Sequence, residues 1–80
     1  MKTSVISLTG RIFDGEAKAV HVTTESGDIT VLDHHEPILT VLAAESQIRI
    51  EALSNGQESF VARNGFLHLN GDNELTILVD

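Results

Sequence analysis

Apolar and polar residues alternate in short runs along this chain. In "QIRIEAL", Gln47 to Leu53, Ile48, Ile50 and Ala52 alternate with Arg49 and Glu51, a period of two that turns one face to a core and the other to water. Segments of the same kind, β-branched or alternating, are "SVISL", "RIF", "KAVHVTT", "DITVL", "ESFVA", "FLHL" and "ELTILV". Turn signals punctuate them: Thr9-Gly10, Asp14-Gly15, Ser26-Gly27-Asp28, Asn55-Gly56, Asn64-Gly65 and Asn70-Gly71-Asp72-Asn73. Glycine, Asn and Asp recur at such points because they tolerate positive φ or bond to their own backbone. The pattern predicts nine or so strands. Asn55-Gly56 is the strongest hairpin signal, suited to a type I′ turn, and the C-terminal half reads as an antiparallel meander. One segment stays open: Glu36 to Ser46, "EPILTVLAAES", suits a helix opened by Pro37 or a buried strand rich in Ile, Val and Leu. The expected fold is all-β, a small β-sandwich of two antiparallel sheets with about nine to ten strands.

Composition narrows the function classes. With 80 residues the chain is one domain, residues 1–80, with a thin core. Hydrophobic residues at 41% against 21% charged exclude a disordered chain. There is no cysteine, so neither disulfides nor thiolate ligands hold the fold, and a reducing compartment is expected. Twelve acids against five bases, a formal charge of -7, argue against nucleic acid, whose phosphates would repel the chain, and favour basic partners. No apolar run approaches the roughly 20 residues of a membrane span, and "MKTSVISLTG" lacks a signal-type core; no membrane insertion is expected.

The densest polar cluster is Asp33-His34-His35-Glu36, closed by Pro37, the only proline. Two imidazoles and two carboxylates are the ingredients of a metal shell. In extended backbone, however, neighbouring histidines point to opposite faces and cannot share an ion, and nothing in the spacing brings His21 or His68 to them. Catalysis would need a cleft that a thin sandwich hardly provides. A solvated loop is the simplest reading. Asp28 reads as a turn aspartate, His21 between Val20 and Val22 as a face residue, and Phe13, Phe60 and Phe66 as core or inter-sheet packing. "GEAKAV" is no phosphate loop, having a lone glycine.

Taken in order, several pieces resemble the N-terminal β-sandwich domain of the ATP synthase epsilon subunit over nearly the whole chain. They are Phe13-Asp14-Gly15, Val20-His21-Val22, Gly27-Asp28, then Leu32, His35, Pro37, Ile38, Leu39 and Thr40, then Asn64-Gly65-Phe66-Leu67, and Thr76-Ile77-Leu78-Val79-Asp80. The resemblance implies a rotor component of an F-type ATP synthase, peripheral on the F1-facing, cytoplasmic or equivalent side of the membrane, without chemistry or cofactor of its own. Its partners would be the gamma subunit and the polar loops of the c-ring. By the same resemblance Asp28 faces the ring, His35 lies in the loop region where gamma and ring are met, Ser7 and Thr40 lie on the gamma-facing side, and the Asp33–Glu36 loop, with Glu36, is contact surface. Departures fall at Asp33-His34, where the family has Pro-Gly, at Glu36 for a small residue, at "AAESQ", which lacks a glycine, and at Asn64 for the first of two glycines. Typical epsilon subunits continue past the final aspartate into an inhibitory two-helix hairpin, so this chain, stopping at Asp80, is expected to couple without braking hydrolysis. The alternative is a free-standing sandwich that uses Asp33–Glu36 for a metal or small ligand.

Overall fold

The computed structural model describes residues 1–54 and 56–80. Among the described residues eight strands form: β1 Lys2–Ser7, β2 Gly10–Thr24, β3 Gly27–Leu32, β4 Ile38–Val41, β5 Ser46–Ala52, β6 Gln57–Ala62, β7 Gly65–Leu69 and β8 Glu74–Val79. They make two layers that share the long β2. Sheet A runs β4-β7-β8-β1-β2, and sheet B runs β3-β2-β5-β6. The ambiguous segment after Pro37 resolves as strand β4, paired with β7.

β2 is where the sequence pattern and the structure part. "RIF" and "KAVHVTT" were expected as two strands separated by a turn at Asp14-Gly15, but they are one strand of 15 residues, so the count is eight rather than nine to ten. Asp14 is engaged along the ladder, accepting from Arg11 at 3.2 Å and facing the Ser4 hydroxyl at 3.4 Å. A register shift between Ala17 and Ala19 then reverses the inward phase, and Ala17, Ala19, Val20 and Val22 are all buried. An extra residue in one strand bends it and increases its twist, which carries β2 from sheet A into sheet B.

A second departure lies in sheet A. All pairings are antiparallel except β1 with β8, which is parallel, Val5 opposite Ile77. No hairpin joins these strands, so the long intervening chain serves as the crossover a parallel pair requires. In the C-terminal half, β5–β6 and β7–β8 are hairpins as expected, but β6 and β7 lie in different layers. The Asn55-Gly56 turn expectation falls on Asn55, outside the described residues; beside it the ladder closes with Ala52 N–H donating to Gly56 O at 2.9 Å.

The core between the layers is aliphatic: Val5, Val20, Val31, Ile48, Ile50, Leu67, Leu69 and Ile77 are fully buried. Phe13 and Phe60 lean against it. Phe66 does not, and its expected place in the core is corrected: it alternates with buried Leu67 and stands 54% exposed on the outer face of sheet A.

Candidate functional site

The Asp33–Pro37 segment links β3 in one layer to β4 in the other. Leu32–His35 is a four-residue turn closed by His35 N–H to Leu32 O at 3.0 Å, with His34 at φ 62°. The extended backbone assumed for the two histidines is therefore corrected to a turn. His34 Nε2 lies 3.5 Å from Asp33 Oδ2, while His35 Nδ1 is 2.7 Å from Glu36 O. Among the described residues no three His, Cys, Asp or Glu side chains gather to hold a metal ion.

The β7–β8 turn braces this loop from across the layer. Asn73 Oδ1 accepts the His34 amide at 2.8 Å, Asn73 Nδ2 donates to Asp33 Oδ1 at 2.8 Å, and the Met1 ammonium donates to the same oxygen at 2.5 Å. These bonds favour the ionised carboxylate, the ammonium's first and the Asn73 amide's second, and hold Asp33 below its ordinary range. His35 and Glu36 remain exposed beside the braced turn.

The other expected contact residues lie elsewhere. Asp28, the second residue of β3, is exposed and accepts from the Thr23 hydroxyl across the β2–β3 ladder at 2.9 Å. Five residue steps of about 3.3 Å set it roughly 17 Å from Asp33, so Asp28 and His35 occupy opposite ends of β3 rather than one patch. Ser7 ends β1, half-buried, donating to Gly10 O at 3.2 Å and accepting from Thr9 N–H at 3.2 Å. Thr40, also half-buried, sits in β4 opposite Leu67, on the row that continues through Ile77 and Val5.

The outer face of sheet A carries a feature that sequence reasoning missed. Val41, Phe66, Leu78 and Ile6 are consecutive cross-strand partners over four strands. Val41 is 41%, Phe66 54% and Leu78 48% exposed, and Leu39, Ile12 and Leu8 extend the apolar surface around them. Single exposed apolar residues are ordinary; a registered row across a sheet is a candidate interaction surface. The signal was available in "FLHL" and "ELTILV", where apolar residues occupy both phases of the alternation, but only the strand order lines them up.

The outer face of sheet B is different in chemistry. Thr30, His21, Arg49 and Ser59 form its central row, along an open groove of about 470 Å³. His21 Nε2 meets Glu51 Oε2 at 2.5 Å and Nδ1 meets Thr30 Oγ1 at 3.0 Å. The His21 bond, first among the causes, holds the Glu51 carboxyl below its ordinary value. The groove is open to solvent, so these groups brace the sheet rather than enclose a substrate.

Comparison with known proteins supplies the context for these surfaces. Residues 1–80 match the family described as ATP synthase, Delta/Epsilon chain, beta-sandwich domain. The ATP synthase epsilon chain of Polynucleobacter necessarius subsp. necessarius (strain STIR1) is 32% identical over 80 residues, which is all of this chain and 56% of that relative. The chain thus spans about half the length of the curated relative it matches. Among solved structures, a chain of the Euglena gracilis mitochondrial ATP synthase, OSCP/F1/c-ring, superposes with TM-score 0.88 at 22% identity, covering 99% of this chain and 49% of that one. A chain of the Tetrahymena thermophila mitochondrial ATP synthase central stalk and c-ring gives TM-score 0.81 at 19% identity, covering 99% and 62%. At those identities the structural matches bear on the fold.

Proposed function

Because the chain belongs to the ATP synthase delta/epsilon-chain β-sandwich family, we propose that it is a non-catalytic rotor component that fastens the gamma subunit to the membrane c-ring of an F-type ATP synthase. It sits peripherally on the F1-facing side of the membrane. The observation that carries this reading is the apolar row Val41–Phe66–Leu78–Ile6 on a rigid sheet of this family's fold. A coupling between two rotating bodies must resist shear without changing shape. A sandwich whose interior is filled by aliphatic side chains and whose contact residues sit on paired strands meets that demand better than loops alone would.

This reading assigns the chain two separate contact regions. The outer face of sheet A, with Ser7 at the end of β1 and the braced turn with His35 and Glu36 at one end, meets gamma, while Thr40 lies on the inward row of β4. Asp28, at the other end of β3, meets the polar loops of the ring. Interfaces near the standard size, about 1,600 Å² of total buried surface each, would hold the assembly. The charge of -7 steers the chain toward basic partner surfaces and speeds encounter more than it tightens the final complex.

The test is direct association. Purified gamma subunit, immobilised and presented with the 80-residue chain, is expected to retain it in a one-to-one complex, and the Phe66→Asp variant is expected to be lost from it. No retention of the parent chain overturns the reading.

A further inference from the structure

Two residues in left-handed backbone, His34 at φ 62° and Asn73 at φ 61°, touch one another across 39 positions of sequence, through the His34 amide and the Asn73 side-chain carbonyl. The geometry points to Asn73 as a positioning residue that holds the Leu32–His35 turn in its docking shape, an inference that rests on the proposed role of this loop at the gamma interface.

A four-residue turn with positive φ at its third residue ordinarily takes glycine there, since a side chain raises the energy of that conformation. His34 occupies the position instead. Histidine is among the few residues that enter the left-handed region at all, but its turn will reopen unless neighbours fix it. Asn73 provides two fixtures at once. Its carbonyl takes the N–H of the strained residue, and its amide ties down Asp33, the residue before it.

The side chain of Asn73 is spare for this purpose because its own hairpin is held by another residue. Asn70 Oδ1 accepts the amides of Asp72 at 2.9 Å and Glu74 at 3.1 Å, and Asn70 N–H donates to Glu74 O at 3.0 Å. The link from Asn73 back to β1, its main-chain oxygen accepting from Lys2 N–H at 3.2 Å, needs no side chain either. Removing the Asn73 amide therefore releases the His34 N–H, with Asp33 still tied to the Met1 ammonium, and leaves the turn that bears Asn73 in place.

Asn73→Gly is the informative variant, since glycine keeps the left-handed φ while deleting both side-chain bonds. Amide exchange of His34 is expected to speed at least tenfold, and the Kd for purified gamma subunit to rise about tenfold, with the melting temperature little changed. The same substitution in a His34→Gly background, where the turn needs no prop, is expected to raise the Kd less than threefold. An equal loss of affinity in both backgrounds would mean that Asn73 acts other than through His34 and overturns the inference. So would an unchanged Kd beside faster His34 exchange, or a large fall in melting temperature. A parent chain that does not bind gamma overturns the functional reading and this inference with it; a parent that binds beside an unaffected Asn73→Gly overturns this inference alone.

Discussion

His21 stands on an outward face yet is engaged at both ring nitrogens, by Glu51 at 2.5 Å and Thr30 at 3.0 Å. With the proton on Nε2 the ring donates to the carboxylate while Nδ1 accepts from the hydroxyl. Glu51 is thereby held below the ordinary glutamate value of 4.5. A depressed folded-state pKa stabilises the fold above the unfolded value, and the contribution is lost as pH falls through the folded one. Melting temperature followed from pH 7 to pH 3 should therefore decline more steeply below about 4.5 in the parent than in His21→Ala; parallel curves would remove the pair's role. The alternation Val20-His21-Val22 sufficed to place His21 outside the core, but its partners come from strand order, which no local pattern encodes. Gly65 shows the reverse limit. Asn64-Gly65 reads as turn punctuation, whereas Gly65 opens strand β7 and is needed for close approach: a Cβ there would lie 2.1 Å from Leu78 O. Gly65→Ala should cost about 3 kcal/mol, at the upper end of overpacking, or a melting temperature about 12 °C lower or more in a domain of this size. Gly71→Ala, which meets nothing within 4 Å, should stay within about 0.5 kcal/mol.

Among the elements, β8 carries two functions on its two faces. Ile77 is fully buried against the core, and Leu78 beside it is half exposed in the outer row. Ile77→Ala should destabilise by about 2–5 kcal/mol, from lost transfer energy plus the cavity left behind. Leu78→Ala should change stability by only about 0.5 kcal/mol while weakening retention by gamma; chemical denaturation of the two variants beside a binding assay checks both. A Leu78→Ala loss as large as that of Ile77→Ala would make the outer row structural. The inward phase of such strands was legible from the sequence because burial on one face imposes a period of two. Exposed apolar residues blur that period, which is why Phe66 was expected in the core. β2 was illegible for another reason: Asp14-Gly15 carries the chemistry of a turn, but Ser4 and Arg11 engage Asp14 within the sheet. The slip between Ala17 and Ala19 then reverses the phase in mid-strand. Pairing, rather than propensity, decided that element.

At the scale of the molecule, 27 × 24 × 18 Å across, the arrangement of strands separates residues that the chain places only seven positions apart. β3 runs between Asp28 at one end and the braced turn leading to His35 at the other; Asp28 faces out from sheet B beside Thr30 and His21 and the apolar row faces out from sheet A, so a partner seated on that row does not have to reach Asp28. If the ring is met at the Asp28 end and gamma on sheet A, the two contacts can be weakened independently. Asp28→Lys removes one exposed hydrogen bond, from the Thr23 hydroxyl, and should move stability by no more than about 0.5 kcal/mol. It should leave the Kd for isolated gamma within about twofold, a shift of roughly 0.4 kcal/mol, yet weaken capture by a detergent-solubilised c-ring carrying gamma. Because the lost attraction is between exposed charges, the difference between parent and variant should shrink at 1 M salt, where the Debye length is about 3 Å. Phe66→Asp should do the opposite, weakening binding to isolated gamma at every salt concentration. If Asp28→Lys instead lowers the melting temperature and leaves ring capture intact, Asp28 is a structural turn residue, and the ring is met through some other part of the sandwich.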